Sequence, residues 1–174
     1  MSTPPTLDAL NAADRAAFGA ALGHLFEHSP WVAEETWPQR PFADVAQLHA
    51  ALCATMRGAT PERQLALIRA HPDVAGRLAQ QNKLTAESTR EQAKAGLNEL
   101  TAAELAEFQR LNAAYLERFR FPFIICARLS NKSAILAAML MRSGNAVETE
   151  FQTALAEIEK IAQLRLDDYL NPIP

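Results

Sequence analysis

The stretch TAAELAEFQRLNAAYLERF, residues 101–119, decides the fold class. Thr101-Ala102-Ala103-Glu104 has the threonine and glutamate of a capping box, in which each side chain accepts from the other's backbone N–H, and Leu100 and Leu105 are spaced as a hydrophobic staple. Beyond this start, Leu105, Phe108, Leu111, Tyr115 and Phe119 recur at the spacing of one helical face. The rest of the chain follows the same pattern. It has 34 alanines, six glycines and almost no alternation of Val, Ile and Thr, so helix propensity is high nearly everywhere. The expected fold is all-α, a single-domain bundle of about eight helices over residues 1–174, with residues 1–6 a flexible N-terminus.

A first helix is expected over Leu7–Glu27, with Phe18, Leu22 and Phe26 on one face and Ser29-Pro30 at its end. Ser29–Phe42 contains three prolines and two tryptophans and reads as an ordered loop pinned by aromatic burial. Ala43–Arg57 should be helical with Val45, Leu48 and Leu52 inward; Gly58 stops it and Thr60-Pro61 opens the next helix. Further helices are expected over Asn131–Arg142, ended by Gly144, and Asn145–Leu170, closed before Pro172. Between them, Phe121-Pro122-Phe123-Ile124-Ile125-Cys126-Ala127 breaks the pattern. It is apolar on every side, and its proline disfavours helix at the residue before it, so it should be buried throughout.

Composition narrows the function classes. At 174 residues and 49% hydrophobic, the chain can bury a core that needs neither disulfide nor metal. Cys53 and Cys126, far apart and outside any CxxC or Cys/His cluster, read as reduced thiols of a cytoplasmic protein. The net charge is −3 and the 17 basic residues are scattered, so no nucleic-acid partner is expected. No apolar run reaches the roughly 18 residues of a membrane span, and residues 1–6 lack the features of a signal peptide.

Nucleotide-binding, zinc-protease and serine-hydrolase fingerprints are missing. His24 and His28 stand one helical turn apart, a spacing that binds zinc, but no third ligand is evident and no metal is expected; His49 reads as a polar-face residue. His71 stands out because Pro72 pushes it out of helical conformation and itself suits the first position of a helix, which would place His71 at a helix N-terminus. It is either a plain corner residue or a functional one. Ser88, Glu91 and Gln92, spaced i, i+3, i+4, share one helical face, either solvated or binding. Arg128 ends the apolar run and Arg165 interrupts the apolar face of the last helix; a buried arginine calls for an anion.

These residues fall into ordered motifs. His71-Pro72-Asp73-x-Ala75-Gly76-Arg77, Leu84-Thr85-x-x-Ser88-x-x-Glu91-Gln92-x-x-Ala95-Gly96-Leu97, and Leu111-Asn112-x-x-Tyr115-x-x-x-Phe119-x-Phe121-Pro122-Phe123-Ile124 resemble the 2-oxo-4-hydroxy-4-carboxy-5-ureidoimidazoline (OHCU) decarboxylases of purine catabolism. The likeness runs from Ser29-Pro30-Trp31 and Arg40-Pro41-Phe42 to Arg165. Two departures are Arg120, where that family usually has glycine, and Val74 for its leucine.

The resemblance implies conversion of OHCU to (S)-allantoin and carbon dioxide, with no metal or organic cofactor, by an all-helical protein that commonly forms a homodimer. It makes His71 the proton donor; Glu91 is read as a second catalytic residue, one that keeps His71 charged. Substrate contacts fall to Pro72, to the segment Ser88, Thr89, Arg90, Glu91 and Gln92, to the wall Phe123, Ile124, Ile125, Cys126 and Ala127, and to Arg165 as an anion contact. The substrate is its own electron sink: C5 is doubly bonded to nitrogen, so the electrons released from C4 flow into that imine. The protein must orient the substrate, stabilise developing charge and protonate one face of C5. Because a helix N-terminus favours neutral imidazole, Glu91 is expected within hydrogen-bonding reach of His71 to keep it charged. Two other classes stay open: another cofactor-free lyase or hydrolase acting on a ureide, and a helical adaptor, which would present an apolar groove and no polar site.

Overall fold

The computed structural model describes residues 5–76 and 83–172. Arg77 of the first motif and residues 1–4 of the expected flexible N-terminus lie outside them. Among the described residues every regular element is helical: α1 Leu7–Ala12, α2 Arg15–Leu22, α3 Trp31–Thr36, α4 Val45–Arg57, α5 Pro61–Ala70, α6 Ala86–Lys94, α7 Ala102–Phe119, α8 Lys132–Arg142 and α9 Val147–Leu170, with 3-10 turns at Trp37–Gln39 and Ala127–Leu129. None of these helices is long and apolar enough to cross a membrane. The chain divides into two compact units, residues 1–70 with 159–174, and residues 71–158.

The first unit holds α1 to α5 and the end of α9. The single helix expected over Leu7–Glu27 is two helices, because Asp14 turns its carboxylate back to accept from Ala17 N–H at 2.8 Å and starts α2 afresh, which ends at Gly23. Nor is Ser29–Phe42 a loop. It contains α3 and a 3-10 turn, and its tryptophans are half-buried: Trp37 donates to Ala13 O at 3.1 Å, and Arg63 lies 3.9 Å over the Trp31 ring. Phe18, Leu22, Val32, Leu48, Leu52 and Met56 are fully buried, while Val45 is only half-buried. Arg165, 4% exposed, donates to Glu27 Oε2 at 2.9 Å, so the chain itself supplies an anion for this arginine.

The second unit holds α6, α7, α8 and the start of α9. The capping box forms as its sequence demands, with Thr101 N–H to Glu104 at 2.8 Å and Glu104 N–H to Thr101 at 3.2 Å. Phe108, Leu111, Tyr115 and Phe119 are buried, and Leu105 half-buried. Helix α7 ends at Arg120 in the left-handed region, φ 63°. A glycine would adopt this cap without strain, so the departure from the family pattern falls where a side chain costs about 1–2 kcal/mol.

The run after it is buried but irregular: Phe121, Phe123, Ile124 and Cys126 are each at most 2% exposed, whereas Pro122, Ile125 and Arg128 are half-buried, so burial is not complete on every side. Arg142 lies beneath this run. Its Nη1 donates to Ile124 O at 2.8 Å, its Nη2 reaches Glu150 at 2.9 Å, and its guanidinium carbon lies 4.3 Å from the Phe123 ring centre. Tyr115 also donates to Glu150, as does Asn145 at 2.8 Å. Burial by itself would raise the Glu150 carboxyl, but the hydrogen bonds from Arg142, Tyr115 and Asn145 outweigh it and hold the group below its ordinary value.

Removing one partner of this pair, as in Arg142→Met, should cost about 3–5 kcal/mol in denaturant unfolding, because an uncompensated charge stays buried. The Glu150 value is depressed on folding, so its contribution is complete above the ordinary carboxyl value and disappears as pH falls through the folded one. Glu150→Gln should therefore flatten the acid limb of the stability curve; an unchanged limb would refute the assignment.

Candidate active site

His71 directly follows α5, and residues 72–76 are not helical, so His71 does not stand at a helix N-terminus as Pro72 suggested. The cause is local. Ala75 adopts φ 50°, and the Gln92 side chain takes its N–H at 2.9 Å while donating to Asp73 O at 3.3 Å. A Cβ on Gly76 would sit 1.8 Å from Asp73 Oδ1, so a side chain there would displace the Asp73 carboxyl. Burial pushes the Asp73 carboxyl up from its ordinary value. Asn112, on α7, donates to Val74 O at 2.8 Å from a buried position. The turn that carries His71, itself 5% exposed, is thus held from two helices.

Helix α6 begins at Thr85, whose hydroxyl accepts from Ser88 N–H at 3.3 Å, and ends in a Schellman motif with Gly96 at φ 78° and Leu97 N–H on Gln92 O at 3.1 Å. Ser88 and Gln92 are buried and Glu91 is half-buried, so the face inferred from their spacing is the inner one. Thr89 and Arg90 are on the exposed face; Thr89 donates back to Thr85 O at 2.8 Å and Arg90 pairs loosely with Glu87 at 3.7 Å.

Helix α6 packs against the Ala127–Leu129 turn, and Lys132 N–H donates to Ala95 O at 3.1 Å. Burial chiefly, and the negative charges of Glu157 and Glu91 after it, push the Cys126 thiol up. The structure therefore brings together the His71 turn, the Ser88–Glu91–Gln92 face and the Phe123–Ala127 run. The Cys126 amide in that run donates to Glu157 Oε2 at 2.7 Å. Asn112 stood in the third motif without a role, and Glu157 and Arg142 were not singled out as site residues; each lies on a helix far in sequence from the segment it holds.

Other groupings offer less chemistry. Among the described residues no three His, Cys, Asp or Glu side chains gather as a metal site. The His24 ring packs on Tyr169 at 5.3 Å. Cys53 lies 3.3 Å from His49, but burial, with Glu159 adding to it, pushes its thiol up to about 12, which leaves no thiolate nucleophile at neutral pH.

The profile of the OHCU decarboxylase family matches residues 11–167. The chain is 44% identical over 161 residues to the 2-oxo-4-hydroxy-4-carboxy-5-ureidoimidazoline decarboxylase of Haloferax volcanii, covering 92% of this chain and 94% of that one. It is 40% identical to the mouse protein of the same name, covering 93% and 91%. Among solved structures, an (S)-allantoin synthase superposes with a TM-score of 0.78 at 31% identity over 97% of this chain, which spans 54% of that longer one.

Gln92→Leu should leave the Ala75 N–H buried without its acceptor, at a cost of about 1–3 kcal/mol. Hydrogen exchange should accelerate at residues 73–76 while the α7 core stays protected. Equal protection in both proteins would show that Gln92 does not hold the turn.

Proposed function

The chain belongs to the OHCU decarboxylase family, and with that as premise we propose how it decarboxylates 2-oxo-4-hydroxy-4-carboxy-5-ureidoimidazoline to (S)-allantoin in urate breakdown. The observation that carries the proposal is the double hydrogen bond of Gln92, which fixes the His71 turn against the face bearing Ser88 and Glu91, beside the Phe123–Ala127 run. Three segments distant in sequence converge on one polar and one apolar surface.

In the proposed reaction the bond from C4 to the carboxylate breaks and its electrons form a C4–C5 double bond, pushing the imine electrons onto nitrogen, which is protonated. The C4 hydroxyl then loses its proton as the carbonyl forms, and C5 takes a proton from His71. Delivery from one side gives one enantiomer. In this reading Glu91 is the hydrogen-bond partner that keeps the His71 imidazole charged and oriented, while Ser88 and Pro72 border the substrate. Gln92 acts mainly by fixing the turn, with one amide hydrogen left for the substrate. The Phe123–Ala127 wall excludes water, and desolvation of the carboxylate favours its loss.

A homodimer and a cytoplasmic location belong to the same reading. Leu116, Leu129, Leu140, Met141 and Val147 are each at least 50% exposed, apolar side chains that a second copy would cover, and Cys53 and Cys126 form no disulfide. Sedimentation at micromolar concentration should give twice the chain mass; a monomer would remove the dimer from the reading.

His71→Asn and Glu91→Ala should remain folded and lower the rate by about 10²–10⁴-fold. The measurement is circular dichroism of allantoin formed as urate is oxidised and the hydroxyisourate hydrolysed in the presence of each protein. The wild type should build the (S) signal quickly, and the variants should leave the racemic product of the uncatalysed reaction. Wild-type turnover in both variants would sink the site.

A further inference from the structure

The Phe123–Ala127 run has an unusual structural problem. It is buried, yet Pro122–Cys126 belong to neither helix nor strand, so no repeating ladder satisfies its peptide groups. Two charged side chains meet that need. Arg142, at the end of α8, donates through Nη1 to Ile124 O at 2.8 Å; Glu157, on α9, accepts the Cys126 N–H on Oε2 at 2.7 Å. The two backbone groups are two residues apart and are gripped with opposite polarity, a donor on the carbonyl and an acceptor on the amide.

The grip is part of a larger arrangement. Glu150 and Glu157 are seven residues apart on α9, two helical turns, and so lie on one stripe. Glu150 fixes Arg142, and Arg142 fixes Ile124; Glu157 fixes Cys126 directly. Hydrogen bonds to a charged partner are short and directional, and they set a peptide's position more tightly than apolar packing, which is nondirectional.

We propose that Glu157 and Arg142 are positioning residues for the decarboxylation: they clamp the backbone of the substrate wall from α8 and α9 and so set its distance from the Ser88–Glu91 face. The inference rests on the reading that this wall lines the substrate. Neither side chain needs to touch the reacting atoms. A displacement of about 1 Å in a wall that orients the substrate is worth about 10²-fold in rate, so the clamp acts on catalysis through geometry.

Arg142 is a poor test by itself, because its loss leaves Glu150 buried without a counter-charge. Glu157 is only half-buried and can be exchanged. Glu157→Gln keeps a carbonyl oxygen able to accept from the Cys126 amide, whereas Glu157→Ala removes it. Steady-state kinetics should be measured on wild type, Glu157→Gln, Glu157→Ala and His71→Asn, with melting temperatures. Glu157→Ala should lose about 10-fold or more in kcat/KM, chiefly through a raised KM; Glu157→Gln should stay within about threefold of wild type, and both should remain folded at the assay temperature. A merely structural role would lower the melting point and leave KM of the folded enzyme alone.

Wild-type kinetics in folded Glu157→Ala, with His71→Asn inactive, would overturn the clamp and leave the site reading intact. A loss in Glu157→Gln equal to that in Glu157→Ala would also overturn it, since the charge and not the hydrogen bond would then matter. Failure of the site reading shows separately, as turnover by His71→Asn.

Discussion

The second unit depends on a buried ion pair. Arg142 and Glu150 are 6% and 0% exposed, and neither charge could remain there alone. Together they organise what surrounds them: Tyr115 and Asn145 donate to the carboxylate, while the guanidinium lies over Phe123 and holds Ile124 O. An all-apolar centre would fill the same space, but it would leave the Ile124 carbonyl of the irregular run without its Arg142 donor, at a cost of about 1–3 kcal/mol. The pair therefore allows a non-helical wall to exist inside a helical protein.

That wall is one of three surfaces that meet, and the same economy recurs at the His71 turn. Gln92 uses both ends of its amide on the His71 turn, Asn112 holds the next peptide, and Gly76 makes room for the Asp73 carboxylate. The wall and the His71 turn are both irregular backbone supported by side chains from regular helices. Helices supply rigidity, and short irregular segments supply the shape that a small, polar substrate needs. A reaction whose electron sink lies in the substrate demands little else from the protein than this placement and a proton.

Much of the arrangement was legible in the chain. The capping box at Thr101 and Glu104, the buried stripe of α7, and the shared face of Ser88, Glu91 and Gln92 all follow from spacings within two turns of helix. Where expectation failed, a local side chain had competed with the backbone. Asp14 restarted a helix that periodicity alone would continue, and Ala75 in the left-handed region kept Pro72 from opening one after His71. Within Ser29–Phe42, read as a loop for its prolines, Trp31–Gln39 is helical because Pro30 caps the start of α3 and Pro38 lies in the first turn of the 3-10 segment, positions that tolerate proline.

The sequence by itself determined the helical class and the starts and stops of many helices, because each depends on residues within about four positions of one another, and it carried the three motifs whose resemblance to a known family implies the chemistry. It also marked the apolar run as exceptional. What only the tertiary structure decided is which distant side chains make that run and the His71 turn possible: Arg142 on Ile124, Glu157 on Cys126 and Asn112 on Val74, pairs 18, 31 and 38 residues apart. Such pairings have no period in the chain. They arise where packing brings a helix face against a peptide group that lacks a partner, and the burial of that group gives the contact its value.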